Sequence, residues 1–313
     1  MELTEDVKDI EETSRTMKMF LDLYAKIDTI YSHKRGEFMW GYKTKLNEYD
    51  DITQGLSNSE LTVVAGRHSM GKTSFLLNIA VNLAEQEIPV LYVSYDLDKN
   101  NLTNRILSIV SEVDGNKIKQ GFLQSKEWNK VAKGLEIIDK SLANYLQLEP
   151  NCYLYYKDLF NLIREFKNQH SDGVVIVDYF QLIKLSKKDD TRIIELSNLA
   201  AAFKNLAMEI EMPILLASQV NKKCEDRQDK RPQLSDLAEC DALAQHCDNL
   251  IFLYRDDYYY SNKNEDDYDF QYNKIGSAEI IIAKQKNGEL GTVELLFQKS
   301  IYKFKNPLKT ESF

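Results

Sequence analysis

The chain has 313 residues, 43% of them hydrophobic, and a formal net charge of −9. Its length suits one large α/β domain with an appendage, and no 18-residue apolar run is present to span a membrane. The acidic balance excludes a generally basic nucleic-acid coat but leaves room for a local basic channel.

Cys152, Cys224, Cys240 and Cys247 contain no C-x-x-C pair, and the acidic first twelve residues lack the apolar stretch of a secretory signal. A reducing, cytoplasmic setting is therefore expected. With no fourth ligand beside Cys240, His246 and Cys247, zinc is not expected.

Residues 1–35 carry Leu3, Val7, Ile10, Met17, Phe20, Tyr24, Ile27 and Tyr31 at three-four spacing. That predicts a helical arm with one narrow apolar stripe, suited to packing on its own domain or in a neighbouring subunit's groove. Residues 36–55 are polar and aromatic and read as a lead-in segment. Residues 56–313 read as the main domain.

Four apolar or β-branched residues, 61–64, predict a buried strand. It runs into Gly66-Arg67-His68-Ser69-Met70-Gly71-Lys72-Thr73, which fits G-x-x-x-x-G-K-[ST] at every fixed position. Glycines let successive backbone N–H groups turn inward and cradle phosphate oxygens. Lys72 adds a charge for the β- and γ-phosphates, and the Thr73 hydroxyl can ligate Mg²⁺. Apolar residues at helical spacing follow, so a helix N-terminus also faces the anion.

Further strands are predicted at 89–95, 152–156, 173–178, 213–218, 250–254, 278–283 and 292–297. Helices are predicted at 102–113, 127–142, around 159–166 and at 193–210, with a break over 115–121 and an exposed loop over 255–274. Apolar strands alternating with helices indicate a mostly parallel sheet covered on both faces. The last strands lack intervening helices, which predicts an antiparallel C-terminal edge.

Asp178 closes an apolar strand, where ligands of such sheets bind, and can hold the Mg²⁺ water shell. Gln219 ends the next strand and can contact the γ-phosphate or the attacking water. Asp96, beside the P-loop strand, can orient or deprotonate that water. The turn at 284–288 carries Lys284 and Lys286, which could stabilise transition-state charge on a neighbouring subunit's nucleotide. Lys222, Lys223, Lys230 and Arg231 form a basic loop after Gln219, interleaved with acids, that could track nucleic acid.

With these positions placed, the chain resembles the ATPase domain of DnaB-type hexameric replicative helicases, a RecA-like family. The likeness runs over about 41–297 and includes SMGKT, VDYFQLI, ASQVNK, KRPQLSDL, FLYRDDYY and KQKNGELGTV. It implies a RecA-like P-loop NTPase fold and a ring hexamer with ATP and Mg²⁺ at subunit interfaces. It further implies single-stranded DNA in the channel, Glu239 in the DNA loop, and a helicase loader or another replication protein as partner. The arm would be the linker helix.

The sequence departs from the family at four places. Asp96 stands where Glu is usual, and Lys286 where Arg is usual, losing the planar bidentate fork. Leu237-Ala238-Glu239-Cys240-Asp241 replaces Leu-Arg-Glu-Ser-Gly. The primase-contacting N-terminal domain is absent from this sequence, so primase binding is not expected. Two readings follow. One is an ATP-dependent DNA helicase motor; the other is a helicase-derived ATP-binding assembly factor with weak or no unwinding.

Overall fold

The computed structural model describes residues 17–21, 23–24, 40–151, 153–185, 192–237, 241–260 and 275–307. The chain divides into two units, Met1–Trp40 and Gly41–Phe313. In the first, residues 17–21 and 23–24 are helical, and Met17, Met19, Phe20, Leu23 and Tyr24 are exposed. The remainder of the expected arm lies outside the described residues.

The second unit is built on a nine-stranded sheet of order β3-β2-β4-β5-β1-β6-β7-β8-β9. The strands are β1 (Leu61–Gly66), β2 (Val90–Ser94), β3 (Leu146–Pro150), β4 (Val174–Asp178), β5 (Ile214–Gln219) and β6 (Asn249–Tyr254). β7 (Ile275–Gln285), β8 (Gly291–Gln298) and β9 (Lys303–Lys305) complete the set. β1 to β6 pair in parallel, and β7, β8 and β9 continue antiparallel from β6.

Every residue of β1, β2 and β4 is buried. The reason is the alternation of a strand: Leu61, Val63 and Ala65 face one core and Val64 the other. Helix Lys72–Ala84 supplies Phe75, Leu76 and Ile79 to the layer that holds Val64. Helices Tyr156–Gln169 and Arg192–Ile210 supply Phe166 and Phe203 to the opposite layer. Among the described residues no helix is long and apolar enough to cross a membrane.

Four local expectations are corrected. The strand expected at 152–156 is instead β3, ending at Pro150, and Tyr156 opens a helix. β3 is an edge strand of mixed burial, so its sequence LQLEP lacks the apolar run of a central strand. The expected break at 115–121 contains the short helix Gly115–Gln120, because Asp114 accepts from the backbone N–H groups of Asn116 and Lys117. The lead-in segment holds helix Asn47–Thr53, whose Tyr49 and Asp50 are buried. Finally, the expected loop at 255–274 starts with buried Arg255 and helix Asp257–Tyr260; residues 261–274 lie outside the described residues.

Candidate nucleotide site

β1 delivers the chain to the C-terminal edge of the parallel strands at Gly66, which pairs with Gln219 of β5. The turn that follows uses the left-handed region twice, at Ser69 with φ 60° and Gly71 with φ 102°. A side chain at 71 would be strained there and would also meet the Phe304 ring at 3.3 Å.

Lys72 is the first residue of helix Lys72–Ala84 and is buried. Its Nζ donates to the Gly66 and Arg67 carbonyls, both at 2.9 Å. Burial pulls its pKa down to about 8, against the opposing pull of Asp178.

Asp178 ends β4 opposite Ser94 of β2 and is 1% exposed. Its carboxylate accepts from the Tyr92 hydroxyl at 3.1 Å and from the Thr73 hydroxyl. Burial raises its pKa, and these two hydrogen bonds oppose the rise. A carboxylate so buried beside a threonine hydroxyl has the oxygen donors that a hydrated Mg²⁺ takes, so these residues fit that ion.

Lys72, Thr73, Asp96, Asp178 and Gln219 all line one cavity of about 330 Å³. The same cavity includes Arg105, Arg255 and Lys299, so cations outnumber the two carboxylates. That bias suits a polyanion. Gln219 is fixed from behind: its N–H donates to Gln181 Oε1 at 3.3 Å, and Gln181 Nε2 donates to Ser218 Oγ at 2.9 Å.

Several contributors went unread in the sequence. Arg255 is 5% exposed, paired with Asp257 at 2.6 Å and placed 4.6 Å over the Phe297 ring. It follows an apolar strand directly, as Asp178 nearly does, so the rule that found Asp178 reaches it too. Arg67 ties the P-loop to the segment after Gln219, pairing with Glu225 at 2.7 Å and donating to the Val220 carbonyl at 3.0 Å. No sequence spacing announces that pair.

Lys284 and Lys286 lie away from this cavity. β7 runs antiparallel, so Gln285 pairs with Asn249 at the start of β6, the end of the sheet opposite Gly66. Lys284 Nζ donates to the carbonyls of Ala244, Gln245 and Cys247, capping helix Asp241–His246. The Lys286 side chain is 64% exposed and lies 3.7 Å from buried Asp248.

The basic loop is partly self-neutralised. Arg231 pairs with Glu279 and Asp229 and lies 4.8 Å over the Tyr254 ring. Lys230 sits 4.6 Å over Tyr259, and Arg227 pairs with Asp236. Lys222 and Lys223 are exposed. Glu239 lies outside the described residues, as do Ala238 and Cys240.

Residues 41–306 match the family described as DnaB-like helicase C terminal domain. A probable replicative DNA helicase of Trieres chinensis is 34% identical over 288 residues, which cover 91% of this chain and 61% of that protein. The replicative DNA helicase DnaB of Geobacillus stearothermophilus is 36% identical over 293 residues, covering 92% and 61%. The chain thus spans 61% of the length of these two curated relatives. Among solved structures, an isolated ATPase domain superposes with a TM-score of 0.83 at 28% identity, over 95% of this chain and 100% of that one. A DnaB-like replicative helicase superposes with a TM-score of 0.80, also at 28% identity, over 93% of this chain and 66% of that one. The agreement covers the P-loop, the sheet and its antiparallel edge together, and on it the chain belongs to the DnaB-like helicase C-terminal domain family, with its RecA-like fold.

Proposed function

We propose that this chain is an ATP-driven DNA helicase motor, acting as a ring hexamer that holds single-stranded DNA and hydrolyses ATP at its subunit interfaces. The observation that carries the reading is the convergence of Lys72, Thr73, Asp96, Asp178 and Gln219 on one positively biased cavity. The P-loop amides and Lys72 bind the phosphates; Lys72 trades the two carbonyls it now caps for phosphate oxygens. Thr73 and Asp178 would hold Mg²⁺, which neutralises phosphate charge when bound. Asp96 orients the attacking water and Gln219 senses the terminal phosphate.

The 284–288 turn lies at the sheet end remote from its own P-loop, so Lys286 can serve only a neighbour's nucleotide. Lys284 acts as its anchor, holding β7 onto helix Asp241–His246. DNA would meet Lys222, Lys223, Lys230, Arg231 and Glu239. The exposed apolar residues of 17–24 would bury on a neighbouring subunit, as a linker helix does.

A forked-DNA unwinding assay with ATP tests the reading: strand displacement by the wild type, and none by Lys72→Ala, is expected. Hydrolysis without displacement would favour the second reading, an ATP-dependent assembly or replication accessory factor. That alternative draws support from the ion pairs that neutralise Arg227 and Arg231 within the loop.

A further inference from the structure

We infer that Tyr153, Tyr155 and Lys184 form a second contact for single-stranded DNA, a stacking platform on the same sheet edge as the basic loop but built from other segments. The inference rests on the DNA-binding reading above. After β3 ends at Pro150 the chain passes through Tyr153, 72% exposed, and Tyr155, 47% exposed, before helix Tyr156–Gln169 begins. Neither ring joins a core layer. Two solvated aromatics one residue apart contribute little to the fold, yet each presents a face on which a base can stack.

A cation is already fixed on this surface. Tyr155 bridges Lys184 in the segment after β4, and the Tyr156 N–H donates to the Lys184 carbonyl at 2.9 Å. These bonds join the two segments into one surface and bring Lys184 Nζ to 4.4 Å over the Tyr153 ring. Unlike Arg227 and Arg231, Lys184 has no carboxylate partner among the described residues. Lys157 is exposed on the next turn and offsets Asp158. Arg192, the nearest further cation in sequence among the described residues, pairs with Glu195 at 3.7 Å and donates to the Gln181 carbonyl at 2.8 Å.

Gln181 also links the platform to the nucleotide cavity. It lies three residues before Lys184 in the chain and contacts Ser218 and the Gln219 N–H. A change at Gln219 on nucleotide binding is therefore passed to the segment that carries Lys184. Single strands are the matching ligand. Their unpaired bases leave faces open to Tyr153 and Tyr155, whereas a duplex buries those faces and offers only phosphate to Lys184.

The test is fluorescence anisotropy of the full chain with a labelled oligo-dT, an abasic strand of equal length and a duplex, using a non-hydrolysable ATP analogue. The wild type should prefer oligo-dT over the abasic strand. Tyr153→Ala with Tyr155→Ala should weaken oligo-dT binding at least about fivefold, erase that preference and leave the salt slope unchanged. Tyr153→Phe should behave as wild type. Lys184→Ala should instead flatten the salt slope by about 0.7, the value for one phosphate on a single strand. Melting temperature and ATP-analogue affinity should not move, since all three side chains lie outside the core. Equal oligo-dT affinity in the double Tyr variant would overturn the platform while leaving the motor reading intact. No oligo-dT binding by the wild type would overturn both. Unchanged DNA affinity with an altered assembly mass would instead assign the surface to contacts between copies.

Discussion

Lys72 is a buried cation whose two partners are backbone carbonyls, so the P-loop holds it at a desolvation cost that phosphate would relieve. This gives a pH prediction with a definite sign. In the free protein Lys72 loses its proton near pH 8, and a bound polyphosphate favours the charged form. Binding then requires proton uptake above that pH, so ATP-analogue affinity should fall by up to about tenfold per pH unit above about 8. Lys72→Ala should bind far more weakly and lose the dependence, by calorimetric titration in several buffers. A flat wild-type profile from about pH 7 to about pH 9.5 would contradict it. Asp96 calls for a different readout. If it orients water, Asp96→Asn should lower kcat by roughly a hundredfold with nucleotide affinity unchanged, a loss confined to the transition state. Asp96→Glu, with one more methylene of reach, is expected to raise it. Equal turnover in the three proteins would make Asp96 a bystander.

At the scale of elements, the loop after β5 divides its cations into two kinds. Lys222 and Lys223 are exposed, whereas Arg231 is committed to Glu279 and Asp229. Lys222→Ala with Lys223→Ala should therefore flatten the salt dependence of single-strand binding by about 1.4, two phosphates' worth, and Arg231→Ala by much less. A larger effect from Arg231 would mean that it exchanges Glu279 for phosphate on binding. Such pairings are what the sequence conceals. Strands β1, β2 and β4 were legible because burial on both faces demands an uninterrupted apolar run. Asp178 and Gln219 were legible because they close such strands. β3 was misplaced because an edge strand needs no such run, and the aromatics at 153–156 imitated one. Arg67–Glu225 and Arg231–Glu279 join residues 158 and 48 positions apart, a distance over which spacing says nothing. Of the cavity, the P-loop, Asp96, Asp178 and Gln219 were readable; Arg105, Arg255 and Tyr302 were brought there by the fold alone.

At the scale of the whole molecule, the antiparallel turn of the chain through β7 puts the proposed catalytic cations and the P-loop at opposite ends of one sheet. A subunit of this design cannot complete its own site, whereas head-to-tail contacts around a closed ring would complete every site through one repeated interface. Assembly should depend on the arm, whose exposed large apolar residues would each contribute roughly 1.5–3 kcal/mol if fully buried on a neighbour. Deleting residues 1–35 should thus shift the mass distribution in light scattering toward smaller species; an unchanged distribution would count against the docking role.

Sharing of the site between subunits has a sharper consequence in mixed rings. Lys72→Ala removes the P-loop half of the site and Lys286→Ala the half contributed in trans, so rings of either variant alone should hydrolyse ATP poorly. Where an unaltered P-loop meets the unaltered Lys286 of a Lys72→Ala subunit, the interface is wild type. In an equimolar, randomly assembled mixture about one interface in four has that composition, so turnover should recover to roughly a quarter of the wild-type value if interfaces act independently. Lower recovery would indicate that sites around the ring fire in a coupled order. A mixture no more active than the two variants measured separately, in rings proven to contain both, would place the essential cation within the subunit and remove Lys286 from the site.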